Sequence, residues 1–424
     1  MLKANSTIVV MAALSLFCFH ISLAQIPDAP DGVVAGIAAN YTEANVGAFV
    51  LPDVLTTFNG HAVTDAATWN DVRRPELLKY FETEYYGRVP ESAPDVTWEV
   101  VRTDRTALGG TAIEKTLAGH MGSPDGPAID VTLSTPSAAT GPVPVLAHLT
   151  FNFSRPRRQP DAQAALADGP PRPGSPADLI SRGYGYARIN YSSIETDASG
   201  QPNVNIARKL ALTPGQESPL ADEWGTIAAW AWGISQLMDY FETDPLVDAN
   251  RIALSGTSRL GKTVTWAGAN DQRIALVIAC CGGEGGAALA RRNYGETIAH
   301  LVAPARYPYQ FAGNYQKYAV DPSASLVDTH CLVALMAPRP LLLSTGIGDG
   351  WSDPYGEFLA AKAATPAFAL LGKRGLEPET VHTVGQMVGN DLSYLMVNGS
   401  HGATDWPRWL EFMDRHLQPH AGEH

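Results

Sequence analysis

Arg251-Ile-Ala-Leu-Ser-Gly-Thr-Ser-Arg-Leu-Gly-Lys262 decides how the chain is read. It opens as a short apolar strand, turns sharply between glycines and begins a helix. Ser258 sits at the apex, two residues after Gly256 and three before Gly261. A turn of this kind holds a serine in a strained conformation, with its hydroxyl exposed at the top of a parallel sheet. The fit to Gly-x-Ser-x-Gly is incomplete, because Leu260 stands where the second glycine belongs.

Outward from this stretch, apolar runs and helical patterns alternate. Val143–Phe151 is almost continuously apolar and predicts a buried central strand. Tyr184–Ile189, Ile274–Ala279, Pro340–Ser344 and Tyr394–Val397 predict further strands. Helical patterns cover Trp69–Tyr86, Ala177–Arg182, Glu223–Glu242, the segment after Ser258 to about Asn270, and Trp406–His416. The tryptophans of Glu223–Glu242 suit core packing. Val96–Val101, Ala112–Leu117 and Ile129–Leu133 alternate, as antiparallel strands with one wet face do. Val247–Asn250 reads as a turn, and His330 as preceding a strand. The fold class expected is α/β: an α/β-hydrolase fold, with a mostly parallel sheet covered by helices on both faces.

Processing and composition set the bounds. Lys3, the apolar run Ile8–Leu23 and Ser22-Leu-Ala24 predict a signal peptide over residues 1–24, with a mature chain from Gln25. The run is too short to favour a membrane span. A secreted or periplasmic protein, off the membrane after cleavage and monomeric, is expected. Residues 25–424 are expected to form one catalytic domain, with an Ala/Gly/Pro-rich lead-in over about 25–65 and a Pro-rich surface insertion over about 154–176. The net charge of −13, which becomes −14 without Lys3, argues against nucleic acid as a partner. Of four cysteines, Cys280, Cys281 and Cys331 remain, so one bridge from Cys280 or Cys281 to Cys331 is compatible with the count. No Cys-x-x-Cys or His/Cys cluster has zinc spacing. Gly282–Gly286 lacks the lysine and serine of a phosphate cradle.

The chemistry lies at strand ends. Ser258, Asp349 and His401 follow three predicted strands in the order Ser, acid, His used by α/β-hydrolases. Serine needs a neutral imidazole to take its proton, and a carboxylate to fix that imidazole's tautomer. His401, between Gly399 and Gly402, suits the base. His148, His330, His416, His420 and His424 suit structural or solvated roles. Three acids compete. Asp349 follows its strand directly; Asp353, in Asp-Pro, also suits a helix cap; Glu284 follows the strand after the nucleophile. The backbone N–H of Arg259 is placed to receive an oxyanion, and its guanidinium could add charge.

The motif Gly256-Thr-Ser-Arg-Leu-Gly-Lys262 resembles that of the glucuronoyl esterases, carbohydrate esterase family 15, especially the bacterial branch. Their Gly-x-Ser-Arg-x-Gly-Lys accounts for the displaced glycine. The resemblance extends through Trp69–Pro90, Ala228–Gly233, Glu242–Asp244, Gly285–Thr297, Ala337–Pro340, Trp351–Pro354 and Gly399–Gly402. It implies Ser258 as nucleophile, His401 as base and Arg259 at the oxyanion. It also implies that Lys262, Glu296 and Trp351 bind a glucuronate ring. Many members carry the acid as a glutamate before Ser-Gly-x-Gly-Gly, and Cys281 stands at that place. Other bacterial members use an aspartate two residues before the tryptophan, which is Asp349 here.

The implied substrate is the ester between a lignin alcohol and 4-O-methyl-glucuronic acid on glucuronoxylan, cleaved through an acyl-enzyme without metal or organic cofactor. A broader carboxylesterase or acetylxylan esterase would share the triad without needing the sugar-binding set. An inactive carbohydrate-binding homologue is the reading that the Cys281 replacement suggests.

Overall fold

The structure is a computed structural model that describes residues 30–151, 171–377, 379–380 and 382–418. The expected signal peptide and residues 154–170 of the Pro-rich stretch lie outside the described residues. Ten strands form one sheet. In chain order they follow a small hairpin, β1 (Gly32–Val34) and β2 (Ile37–Ala39). They are β3 (Val96–Ala107), β4 (Ala112–Met121), β5 (Ala128–Pro136), β6 (Val143–Leu149), β7 (Gly185–Ile189), β8 (Val247–Thr257), β9 (Leu276–Cys280), β10 (Leu341–Gly346), β11 (Met387–Gly389) and β12 (Leu392–Val397). Their order across the sheet is β11-β12-β10-β9-β8-β6-β7-β5-β4-β3.

The six strands from β12 to β7 are mutually parallel. β5, β4 and β3 continue as an antiparallel meander, and β11 adds an antiparallel edge. The split follows burial. β9, β10 and β12 are buried at every position, which requires apolar residues on both faces of the sheet. β3 is mostly exposed and alternates in sequence.

Helices cover both faces. Thr226–Phe241 and Arg259–Asn270 belong to the larger apolar cluster, with Trp224, Trp230 and Trp266 fully buried. On the other face Trp406–Leu417 sends Trp409, Leu410, Phe412 and Met413 against Leu146, Ala253, Ile278, Leu342 and Leu395. No helix of the described residues is long and apolar enough to cross a membrane.

Three expectations need correction. Val247–Asn250 is the start of β8: Val247 pairs with Val143 of β6, pairing resumes at Ile252 with Val145, and the turn-like Asp-Ala-Asn is an irregularity within the strand. His330 lies on the helix Thr329–Ala334, buried, with Nε2 at 2.8 Å from the carbonyl of Pro52. Cys280, Cys281 and Cys331 are all buried free thiols. Cys331 contacts His330 inside the larger cluster, whereas Cys280 and Cys281 close the end of β9 in the other.

Close packing around the turn after β8 places Ser258. Its N–H donates to the carbonyl of Cys280 at 2.8 Å, tying the turn to the end of β9. A Cβ on Gly261 would lie 2.6 Å from that same carbonyl oxygen. Gly261→Ala should therefore lower stability by about 1–3 kcal/mol despite alanine's better helix propensity. A urea unfolding midpoint equal to or above that of the unaltered protein would show that the contact does not constrain the turn.

Candidate active site

Four spatially consecutive strands, β8, β9, β10 and β12, deliver Ser258, Cys281, Asp349 and His401 from the loops at their carboxyl ends, where parallel sheets bind ligands. Ser258 has φ 61° and ψ −129°, a positive φ rarely adopted outside glycine, costing about 1–3 kcal/mol. The helix Arg259–Asn270 starts immediately after it, so the first backbone N–H groups of that helix have no acceptor within it.

The loops after β10 and β12 are laced together. The N–H of Ile347 donates to the carbonyl of Val397, and that of Gly348 to the carbonyl of Gly399. Gly346 permits the approach, since a Cβ there would meet the carbonyl oxygen of Ser400 at 2.5 Å. Nδ1 of His401 then lies 2.7 Å from Oδ2 of Asp349. Asp349 also accepts from the backbone of Ser352. Burial pushes the Asp349 carboxyl upward, but the hydrogen bond and charge of His401 outweigh it and hold it below the usual carboxylate range. The stability this adds is present above the ordinary aspartate pKa and is lost as pH falls through the depressed folded value.

The other two acids face elsewhere. Glu284 is fully buried, and its Oε1 accepts from the hydroxyl of Tyr315 at 2.8 Å and the N–H of Gly285 at 3.0 Å. Burial raises its pKa to about 8, which disfavours the ionised form that a triad acid needs. Asp353 caps the helix Pro354–Leu370 through the N–H of Gly356. It also pairs with Arg292 at 2.8 Å, and Arg292 in turn holds Glu43 of the lead-in.

Ser258, Arg259, Lys262, Glu296, Trp351 and His401 line one cavity of about 240 Å³, together with Cys281, Leu301, Arg306, Tyr307, Gln310 and Ser352. The ammonium of Lys262 faces three acceptors: the carbonyls of Gly282 and Glu284, at 2.9 and 2.6 Å, and Oε2 of Glu296, at 3.1 Å. These match its three protons. The Gly-rich loop thus turns carbonyls toward a cation, the reverse of a phosphate cradle. Oε1 of Glu296 accepts from Arg306 at 2.7 Å. The Arg306 guanidinium lies over Trp351 at 5.0 Å and over Tyr307 at 4.8 Å.

Arg259 is fixed by a residue that the sequence reading did not single out. Asp197, in the loop region beyond β7, accepts from its Nη1 at 2.9 and 3.0 Å and from the hydroxyl of Tyr309 at 2.7 Å. Asp197, Arg306 and Tyr307 carry no local motif. Only the rule that loops beyond parallel strands hold the site could have drawn attention to Asp197.

A family model for fungal glucuronyl esterases matches residues 219–372. A carbohydrate esterase from an unidentified prokaryote is 36% identical over 416 residues, covering 92% of this chain and 95% of the relative. Among solved structures, a glucuronoyl esterase from Solibacter usitatus is 39% identical. It has a TM-score of 0.80 and covers 88% of this chain and 100% of that one. A structure described as a promiscuous esterase of carbohydrate esterase family 15, from a marine bacterial metagenome, is 36% identical with a TM-score of 0.79, covering 89% and 100%. With a nucleophile turn, an Asp–His pair and a lysine–glutamate wall on an α/β sheet, the chain belongs to the glucuronoyl esterases of carbohydrate esterase family 15, carboxylic ester hydrolases of the α/β-hydrolase fold.

Proposed function

We propose that the protein hydrolyses esters of 4-O-methyl-glucuronic acid, of the kind that link lignin alcohols to glucuronoxylan, outside the cytoplasm and as a monomer. The observation that carries this reading is the single cavity holding Ser258, His401, Lys262, Glu296 and Trp351 together. Ser258 attacks the uronate carbonyl while His401 takes its proton. Asp349 fixes the imidazole's tautomer and stabilises its charged form. The oxyanion is received by the N–H of Arg259, with the Asp197-held guanidinium adding positive potential. His401 returns the proton to the leaving alcohol, and water resolves the acyl-enzyme by the same route in reverse.

The sugar wall divides its labour. With its protons engaged, Lys262 serves chiefly to fix and charge-balance Glu296. Glu296 receives one cation on each oxygen, and the lone pairs left over suit sugar hydroxyl donors. Trp351 supplies an apolar ring surface. The domain organisation that supports this is one catalytic unit, in which the lead-in is tied to the site's loops through Glu43 and Arg292.

A broader ester specificity is the second reading, favoured by the 36% identical relative described as promiscuous. Steady-state kinetics on benzyl glucuronate and on an acetylated xylose ester separate the two. A kcat/KM at least tenfold higher on the glucuronate is expected, on the order of 1.4 kcal/mol of discrimination. Preference for the acetyl ester would sink the uronate assignment.

Ser258→Ala should lower kcat by about 10⁴–10⁶-fold, and Asp349→Asn by about 10²–10⁴-fold. Glu284→Gln keeps both acceptor contacts and should stay within a few-fold of the unaltered enzyme. A large loss in Glu284→Gln with a small one in Asp349→Asn would reverse the choice of acid. Trp351→Ala should act mainly on KM, raising it roughly tenfold, an effect of about 1–2 kcal/mol. An unchanged KM would remove the indole from the sugar site.

A further inference from the structure

Cys281 has no part in the chemistry proposed above, yet it stands beside the residues that perform it. Its sulfur accepts from the N–H of Gly402 at 3.3 Å, next to His401. One ligand atom each from Cys281, Asp349 and His401 lie within 4.8 Å of one another, the group of His, Cys, Asp or Glu side chains found converging in this way among the described residues. Cys281 and His401 also line the cavity, so an ion has a path to them.

We propose that the three side chains form an inhibitory site for a thiophilic divalent cation, of which Zn²⁺ and Cd²⁺ are the fitting examples. The donor set decides the class. One sulfur, one imidazole nitrogen and one carboxylate oxygen suit zinc-like ions, whereas Mg²⁺ and Ca²⁺ prefer oxygen alone. Bonds of about 2.0–2.3 Å to a tetrahedral ion place ligand atoms roughly 3.3–3.8 Å apart, so the widest pair has at most about 1.5 Å to close, and Nδ1 of His401 and Oδ2 of Asp349, now 2.7 Å apart, open by about 0.6 Å if both bind. The Asp349 carboxylate supplies negative charge, and the cavity side leaves a fourth position for water. On binding, the thiol proton passes to water as the sulfur–metal bond forms, and no electron moves.

Inhibition follows from the imidazole. If the ion takes Nδ1, the ring proton moves to Nε2, the nitrogen that must accept the proton of Ser258. If the ion takes Nε2, that lone pair is occupied outright. Either arrangement removes the base.

The test titrates the full chain with CdCl₂ and reads two signals, the ultraviolet thiolate-to-cadmium absorption band and esterase activity. The unaltered protein should develop the band at one equivalent and lose activity in parallel. EDTA should reverse both, and MgCl₂ should produce neither. Cys281→Ser should lose the band and need at least about tenfold more Cd²⁺ for inhibition. His401→Asn, read by the band alone, should bind Cd²⁺ at least about tenfold more weakly. Cys280→Ser should retain tight binding. No band in the unaltered protein, equal inhibition of Cys281→Ser, or loss of binding in Cys280→Ser but not in His401→Asn would each overturn the proposal. The last would place the ion on the adjacent thiols, 3.6 Å apart. The inhibition arm rests on the proposed esterase reading and the absorption arm does not. A band without inhibition would therefore support the metal site and count against the role given to His401.

Discussion

The site hangs on a buried ammonium. Lys262 is almost fully enclosed, and its partner Glu296 nearly so. Burying either charge alone would cost several kcal/mol, and the pair persists because each donor and acceptor finds geometry close enough to replace water. The three acceptors of Lys262 come from one long connection, between β9 and the helix Ile298–Val302. Gly282 and Glu284 belong to the loop after β9, and Glu296 lies further along the same excursion, where its N–H donates to the carbonyl of Trp351. One side chain from the first turn of the nucleophile helix thus sets the distance between the nucleophile and the sugar wall. Arg259, three residues earlier, does the same toward the region beyond β7 through Asp197. The two cations brace the helix start that follows Ser258, and both line the cavity.

What could be read from the sequence is what periodicity and strand order control. β6, β9, β10 and β12 are short apolar runs because both their faces are buried, and the burial pattern leaves no other solution. Ser258, Asp349 and His401 were legible because each directly follows such a run. Val247–Asn250 reads as a turn because Asp248–Arg251 form an irregularity in β8 between the pairs Val247–Val143 and Ile252–Val145, where the N–H of Asn250 donates to Asp248 and no large apolar side chain marks the strand. The cysteine count pointed to a bridge, yet no count reveals that Cys331 lies in a different apolar cluster from Cys280 and Cys281. Asp197, Tyr307 and Arg306 were silent for a related reason. Their meaning is a contact made across dozens of residues, and a single sequence carries no trace of it.

The choice of acid shows how little the sheet constrains which loop supplies it. β9 and β10 are neighbouring parallel strands in register, with Cys280 opposite Ser344, and β12 adjoins β10. The loops after β9 and β10 therefore both end within reach of the histidine loop after β12. The N–H of Cys281 donates to the carbonyl of Ser344 at 2.8 Å, so the two loops depart side by side. A carboxylate from either could meet Nδ1. Here the β10 loop supplies it, and the residue after β9 is a cysteine held at φ 49°.

A cysteine at that place changes the electrostatics in a definite direction. A second carboxylate beside Asp349 would raise the pKa of one of the two by like-charge repulsion, leaving a shared proton next to the imidazole. A thiol avoids this. The neighbouring thiol of Cys280, burial and the carboxyls of Glu357 and Asp349 all push the Cys281 pKa upward, so it adds no second charge beside Asp349. Asp349 is left as the one ionised group directly on Nδ1. The same cysteine that leaves the carboxylate's charge undivided also sets a soft sulfur beside the histidine, which completes the donor set of the proposed metal site.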